Sequence, residues 1–69
     1  MSANRPKFAE ATRALLRETL LGAATDLLRE YKWSEVSMAA VAERAGVSRQ
    51  TLYNEFGSRD EFAQSYVMH

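Results

Sequence analysis

A sharp break between two short helical segments constrains the fold of this chain more than any other feature. The break spans Ala45 to Ser48, where Gly46 supplies the positive φ that ends a helix and Ser48 is a residue type that begins one. Apolar residues on both sides recur at spacings of three and four, as one buried face of a helix requires. No stretch alternates with the period of two that a strand needs. We therefore expect an all-α domain in which two short helices meet at a tight turn.

The periodicity predicts four helices, and a serine precedes each of the last three. Ser37, Ser48 and Ser58 are expected to be N-caps, because a serine hydroxyl accepts a free N–H of the first turn. Glu61 completes a capping-box pattern with Ser58. Trp33 is expected to close one end of the core. The predicted bounds are residues 9–31, 38–44, 49–56 and 59 to the chain end, and the buried stripe of the first helix is Leu16, Leu20, Ala23, Leu27 and Tyr31.

Length and composition exclude several kinds of protein. The 69 residues make one small domain at most, and no apolar run approaches the roughly 20 residues that cross a bilayer. Cysteine is absent and the single histidine is His69, so we expect neither a metal nor a cofactor. The neighbouring carboxylates of Asp60 and Glu61 diverge on a helix, and no glycine-rich phosphate loop exists, so an enzyme is not expected. We expect a cytoplasmic domain without membrane contact.

The charge of the chain is unevenly distributed. The formal net charge is zero, but residues 1–17 carry +3 and the remainder −3. A basic arm on a slightly acidic body suits an edge that faces phosphates. An ordinary solvated N-terminus would look the same, so charge alone leaves both interpretations open.

The third predicted helix has an unusual exposed face. Leu52 and Phe56 must point inward, which places Gln50 and Asn54 on the opposite side with Thr51 beside them. Glutamine and asparagine amides can bind adenine N6 and N7 in pairs, and a threonine can contact a thymine methyl group. The sequence therefore predicts that this face reads bases in a DNA groove.

Two residues at the margins of this face have more than one possible role. Arg49, in the first turn, can reach guanine O6 and N7 or a phosphate. Tyr53 lies at the flank, where its hydroxyl can reach the DNA backbone or its ring can simply pack on the core. Two helices joined at a tight turn also occur in protein-interaction modules, which would require an exposed apolar stripe on the third helix. DNA binding is the preferred interpretation because that face is polar.

The joint pattern resembles the N-terminal DNA-binding domain of TetR-type transcriptional regulators. The matching segments are Ala45 to Ser48, Thr51 to Tyr53, Phe56 to Ser58, and the acidic pair that follows, within a similarity that extends from about Arg13 to Phe62. The resemblance implies a homeodomain-like, three-helix helix-turn-helix domain plus the start of a fourth, linking helix. It implies a basic arm at residues 1–8, the domain at 9–69 and the helix-turn-helix at 37–56.

The resemblance also implies partners and site residues. The partners are double-stranded DNA with a near-palindromic operator, a second copy of the protein bound through a C-terminal domain absent from this chain, and a small-molecule effector whose binding usually ends repression. Because no stop signal follows the fourth helix, we expect the chain to be the front of a longer protein. Bases are assigned to Arg49, Gln50, Thr51 and Asn54, and the DNA backbone to Ser37, Ser48, Tyr53, Arg59, Arg5 and Lys7.

Three positions depart from the family pattern. Lys32 replaces a common glycine, which would cost about 1 kcal/mol if the backbone there were left-handed. Gln50 adds a side chain where glycine is frequent. Glu55 replaces a frequent histidine and would be repelled by phosphates, so it either accepts from cytosine N4, pairs with Arg59 or faces solvent; the pair with Arg59 is preferred.

Overall fold

A computed structural model describes residues 8–68, with side chains described from residue 12 onward. Every regular element in this range is helical, which confirms the predicted all-α class. Arg5 and Lys7 of the predicted basic arm lie outside the described residues. The elements are helix α1 (Phe8–Leu28), a 3₁₀ turn (Trp33–Glu35), α2 (Met38–Ala45), α3 (Arg49–Phe56) and α4 (Arg59–Met68).

Serine caps begin the three short helices as predicted. The hydroxyl oxygens of Ser37, Ser48 and Ser58 accept the backbone N–H three residues further on, at 3.0, 3.1 and 3.1 Å respectively. Each bond satisfies an N–H that lacks a partner inside its own helix. These local contacts fix where α2, α3 and α4 begin.

The turn between α2 and α3 depends on one glycine. Gly46 has φ +81°, the left-handed conformation, and its N–H points back to the carbonyls of Ala42 and Glu43. The N–H of Val47 donates to the Ala42 carbonyl at 3.0 Å. These bonds close the C-terminus of α2 and let α3 start only three residues later. The predicted tight turn is confirmed.

The end of α1 differs from the prediction. The helix stops at Leu28, and the chain turns through the next residues rather than continuing to residue 31. Tyr31 is therefore 50% exposed and does not belong to the buried stripe. Lys32 has φ −79°, an extended conformation, so the glycine-like strain considered for this position does not arise. Its N–H donates to the carboxylate of Glu35 at 2.9 Å and orders the 3₁₀ turn.

Aromatic side chains join α4 to the rest of the core. Phe62 is fully buried and meets Phe56 of α3 edge to face, with ring centroids 4.7 Å apart. Trp33 stacks parallel to Phe62 at 6.5 Å and closes that end of the core as predicted. The remaining buried residues come mainly from α1 and α2: Leu20, Leu21, Ala23, Ala24, Val36, Met38, Val41, Ala42 and Leu52. This packing holds α3 against α1 and α2 by one face only.

Candidate nucleic-acid interface

One face of α3 is buried and the other is polar and exposed. Leu52 is fully buried and Phe56 nearly so, and both pack into the core. Four residues predicted to contact DNA are exposed on the same helix: Arg49, Gln50, Tyr53 and Asn54. Since the inward residues are spaced by four, the helix is held in one rotational setting. These four exposed side chains form a short polar ridge on α3.

The two amides of this ridge are hydrogen-bonded to each other. Nε2 of Gln50 donates to Oδ1 of Asn54 at 2.9 Å, one helical turn along. Thr51 is only half-exposed, and its hydroxyl lies 2.9 Å from that of Ser48. The Thr51 hydroxyl is thus part of the N-cap of α3. The methyl group of Thr51 is the part of the side chain that suits a contact with a thymine methyl group. Ser48 is exposed but already committed to this cap.

Ser37 and Arg59 flank the α2–α3 pair at the ends remote from the Gly46 turn: Ser37 precedes α2, and Arg59 follows α3. Ser37 is exposed at the start of α2, with its hydroxyl capping that helix. The Arg59 guanidinium donates to the carbonyl of Trp33 at 2.7 Å and to that of Val36, and lies 4.1 Å from the centroid of the Trp33 ring. A guanidinium has five N–H donors, so these bonds leave some available to a phosphate. The structure thus adds a clamping role that the sequence did not predict.

The predicted pair between Glu55 and Arg59 is wrong. The Glu55 carboxylate instead binds two arginines of α1, Arg17 at 3.1 Å and Arg13 at 3.3 Å. Its side chain is only 6% exposed, which also rules out the alternative that it faces solvent in the free domain. The pair was missed because Arg59 is close in sequence, whereas the true partners are close only after folding. The spacing of Arg13 and Arg17, one helical turn apart, was the available signal.

The two arginines determine the ionisation of Glu55. Burial raises the pKa of its carboxyl group, but hydrogen bonds from Arg17 and Arg13 and their positive charges outweigh it. The pKa consequently lies below the ordinary value of 4.5. Arg17 also lies over the Phe56 ring, 4.5 Å from its centroid. Glu55 is therefore a charged contact between α1 and α3.

A second ion pair links α1 to α2. Nη2 of Arg44 lies 3.2 Å from the carboxylate of Asp26, which also attracts Arg29, in the turn after α1, at 4.0 Å. These groups are considerably exposed, so the pair contributes little on its own. Ion pairs therefore connect α1 to both helices of the α2–α3 pair: Asp26 to α2 and Glu55 of α3 to α1.

Metal sites and membrane-spanning helices are absent from the described part of the chain. Residues 8–68 contain no group of three or more histidine, cysteine or acidic side chains arranged to hold a metal ion. Within the same residues, none of the helices has the length and apolar character to cross a membrane. The exposed polar ridge on α3 is the candidate site.

The arrangement of α2, the glycine turn and an outward-facing polar α3 defines a helix-turn-helix domain. The family model described as bacterial regulatory proteins, tetR family, matches residues 20–66. The chain therefore belongs to the TetR family, as its sequence pattern indicated. It is also 53% identical over 64 residues to the HTH-type transcriptional regulator AlkX of Mycobacterium tuberculosis. That alignment covers 93% of this chain but 30% of the relative, so the chain spans less than a third of the relative's length.

Proposed function

We propose that this domain binds double-stranded DNA in a sequence-specific manner, with α3 in the major groove and α2 bracing it. The observation that carries the proposal is the exposed polar ridge of α3, held in one rotational setting by buried Leu52 and Phe56. Lysine and glutamate dominate most solvated helix surfaces, whereas this ridge presents two amides and an arginine. Such groups match the donor and acceptor patterns of base edges.

The contacts divide into two groups. Base reading is assigned to Arg49, Gln50, Thr51 and Asn54. Backbone contacts are assigned to Ser37, Ser48, Tyr53 and Arg59, and to Arg5 and Lys7 of the arm. Backbone contacts supply affinity for any duplex, and base contacts distinguish one sequence from another. Because Ser37 and Ser48 lie at helix N-termini, nearby backbone N–H groups favour a phosphate oxygen there as well.

A single copy of this domain reads too little DNA to be selective. With eight residues, α3 is about 12 Å long, so it covers only a few base pairs. We propose that the complete protein is a homodimer that binds a near-palindromic operator, and that the two copies contact each other through a region outside this chain. We further propose that it is a repressor released by a small effector, and that it acts in the cytoplasm, where bacterial DNA lies.

The principal alternative is a helical protein-interaction module. That function needs an apolar stripe on the exposed side of a helix. On α3 the exposed side is formed by arginine, glutamine, tyrosine and asparagine instead, which favours DNA. A catalytic role has no support from the described side chains.

Binding to labelled duplexes at increasing salt tests the proposal. A dimeric form that includes this domain should shift a duplex selected from a random pool, and affinity should fall steeply as salt rises. Arg49→Ala should weaken binding, whereas Arg29→Ala, a matched loss of charge at an exposed residue in the turn after α1, should change it little. If the dimeric form shifted no duplex at low salt, the DNA-binding proposal would be refuted.

A further inference from the structure

The contact between Gln50 and Asn54 joins two side chains that otherwise would be treated as separate base readers. Both side chains are exposed, and the bond between Nε2 of Gln50 and Oδ1 of Asn54 is 2.9 Å long. The bond uses one hydrogen of the Gln50 amide. It leaves the second hydrogen and Oε1 of Gln50 open, together with both amide hydrogens of Asn54.

We propose that Gln50 and Asn54 read one A·T base pair as a coupled unit. Gln50 makes the base contact, and Asn54 is the positioning residue that orients the Gln50 amide. This inference rests on the proposed function, because it requires α3 to lie in the major groove. It assigns a base preference to the site and a different role to each amide.

The free groups of Gln50 match adenine. Adenine presents a donor at N6 and an acceptor at N7 in the major groove. Oε1 of Gln50 accepts from N6 while the free amide hydrogen donates to N7, and the other hydrogen remains on Asn54. Guanine presents two acceptors, so Oε1 of Gln50 would face guanine O6 without a hydrogen between them. The same planar group therefore favours adenine.

The bond to Asn54 also lowers the conformational entropy that the Gln50 side chain loses when it binds DNA. A glutamine side chain is long and loses much rotamer freedom when it is fixed in an interface. A side chain that is already held in the free protein loses less on binding. The two residues thus act together at a single base pair.

Selection from a random duplex pool, using the dimeric form, tests this coupling. The variants are Gln50→Ala, Asn54→Ala and the double variant, with Gln64→Ala, which removes an exposed amide from α4, as the matched control. The original protein and the control should select an A·T pair at one fixed position in each half-site. Gln50→Ala should lose about five- to 150-fold in affinity and its preference at that position. Asn54→Ala should weaken the same preference. The double variant should lose no more preference at that position than Gln50→Ala alone.

A modified base gives a second test that leaves the protein unchanged. Replacing the selected adenine by 7-deazaadenine removes the N7 acceptor, so the original protein should lose about tenfold or more in affinity while Gln50→Ala is unaffected. Selection of G·C at that position, or independent losses in the two single variants, would overturn the inference and leave DNA binding intact. Failure of the original protein to enrich any sequence would overturn the proposed function as well.

Discussion

The carboxylate of Glu55 lies 3.1 Å from Nη1 of Arg17, and this contact joins α3 to α1 across 38 positions of sequence. Arg17 simultaneously covers the Phe56 ring, so one guanidinium contacts the polar and the apolar side of the same helix turn. In a helix of only eight residues, this contact adds to the buried packing of Leu52 and Phe56. The contact therefore stabilises the orientation in which the polar ridge faces outward.

Replacing Arg17 should destabilise the domain. Arg17→Ala removes a charged hydrogen bond from a nearly buried carboxylate and uncovers the Phe56 ring. We expect a loss of about 1–2 kcal/mol in the free energy of unfolding, moderated by the partial exposure of Arg17. Urea denaturation followed by circular dichroism measures it. Arg29→Ala, which breaks an exposed pair 4.0 Å long, is the control and should change stability by less than about 0.5 kcal/mol. Equal losses in the two variants would show that the Glu55 contact contributes no more to the free energy of unfolding than an exposed ion pair does.

The lowered pKa of Glu55 predicts a particular dependence of stability on pH. A carboxyl group whose pKa is lower in the folded state contributes its full stabilisation above the unfolded value of about 4.5. That contribution is lost as pH falls through the folded-state value. The stability advantage over Glu55→Gln should therefore be constant near neutral pH and shrink in acid. Denaturant titrations of both proteins between pH 7 and 3 measure the difference, and an advantage that grew in acid would contradict the assigned ionisation.

Two glycines should respond oppositely to alanine. Gly46 has φ +81° and open space where a Cβ would be added, so Gly46→Ala should cost about 1 kcal/mol through backbone strain alone. Gly22 lies inside α1 and also has open space, so Gly22→Ala should stabilise by about 0.5–1 kcal/mol. Thermal melting of both variants tests the pair. Destabilisation by Gly22→Ala would mean that this exposed position is used for another contact.

Replacing Arg59 should reduce the stability of the domain, whereas replacing Tyr53 should not. Arg59→Ala leaves the carbonyl of Val36 without its Arg59 donor and leaves the carbonyl of Trp33 with only the N–H of Val36, so it should cost about 2 kcal/mol of stability. Tyr53 is exposed, so Tyr53→Ala should change stability by less than about 0.5 kcal/mol. Both should weaken binding to all duplexes rather than to one sequence. Unfolding and anisotropy measurements on the same samples distinguish these roles, and sequence-selective loss for Tyr53→Ala would reassign it to base reading.

Local signals in the sequence were sufficient for the helix-turn-helix itself. The serine caps act over three residues, and the glycine of the turn acts over the last turn of α2, so both can be recognised without knowing the fold. The inward setting of Leu52 and Phe56 follows equally from the helical repeat. The bounds of α3 and its polar face were thus predicted correctly. The end of α1 was not, because Tyr31 fits the apolar spacing although the helix has already stopped.

The sequence by itself determined the helices, their caps, the tight turn and the membership of the TetR family. Tertiary structure alone decided which polar groups the charged side chains of Glu55 and Arg59 contact, since those partners lie between 23 and 42 residues away in sequence. Contacts at that distance depend on the angles at which helices cross, and those angles arise from the whole core. The packing of Phe62 against Phe56 and Trp33 is one part of that core, and it helps to determine how the polar ridge of α3 is presented.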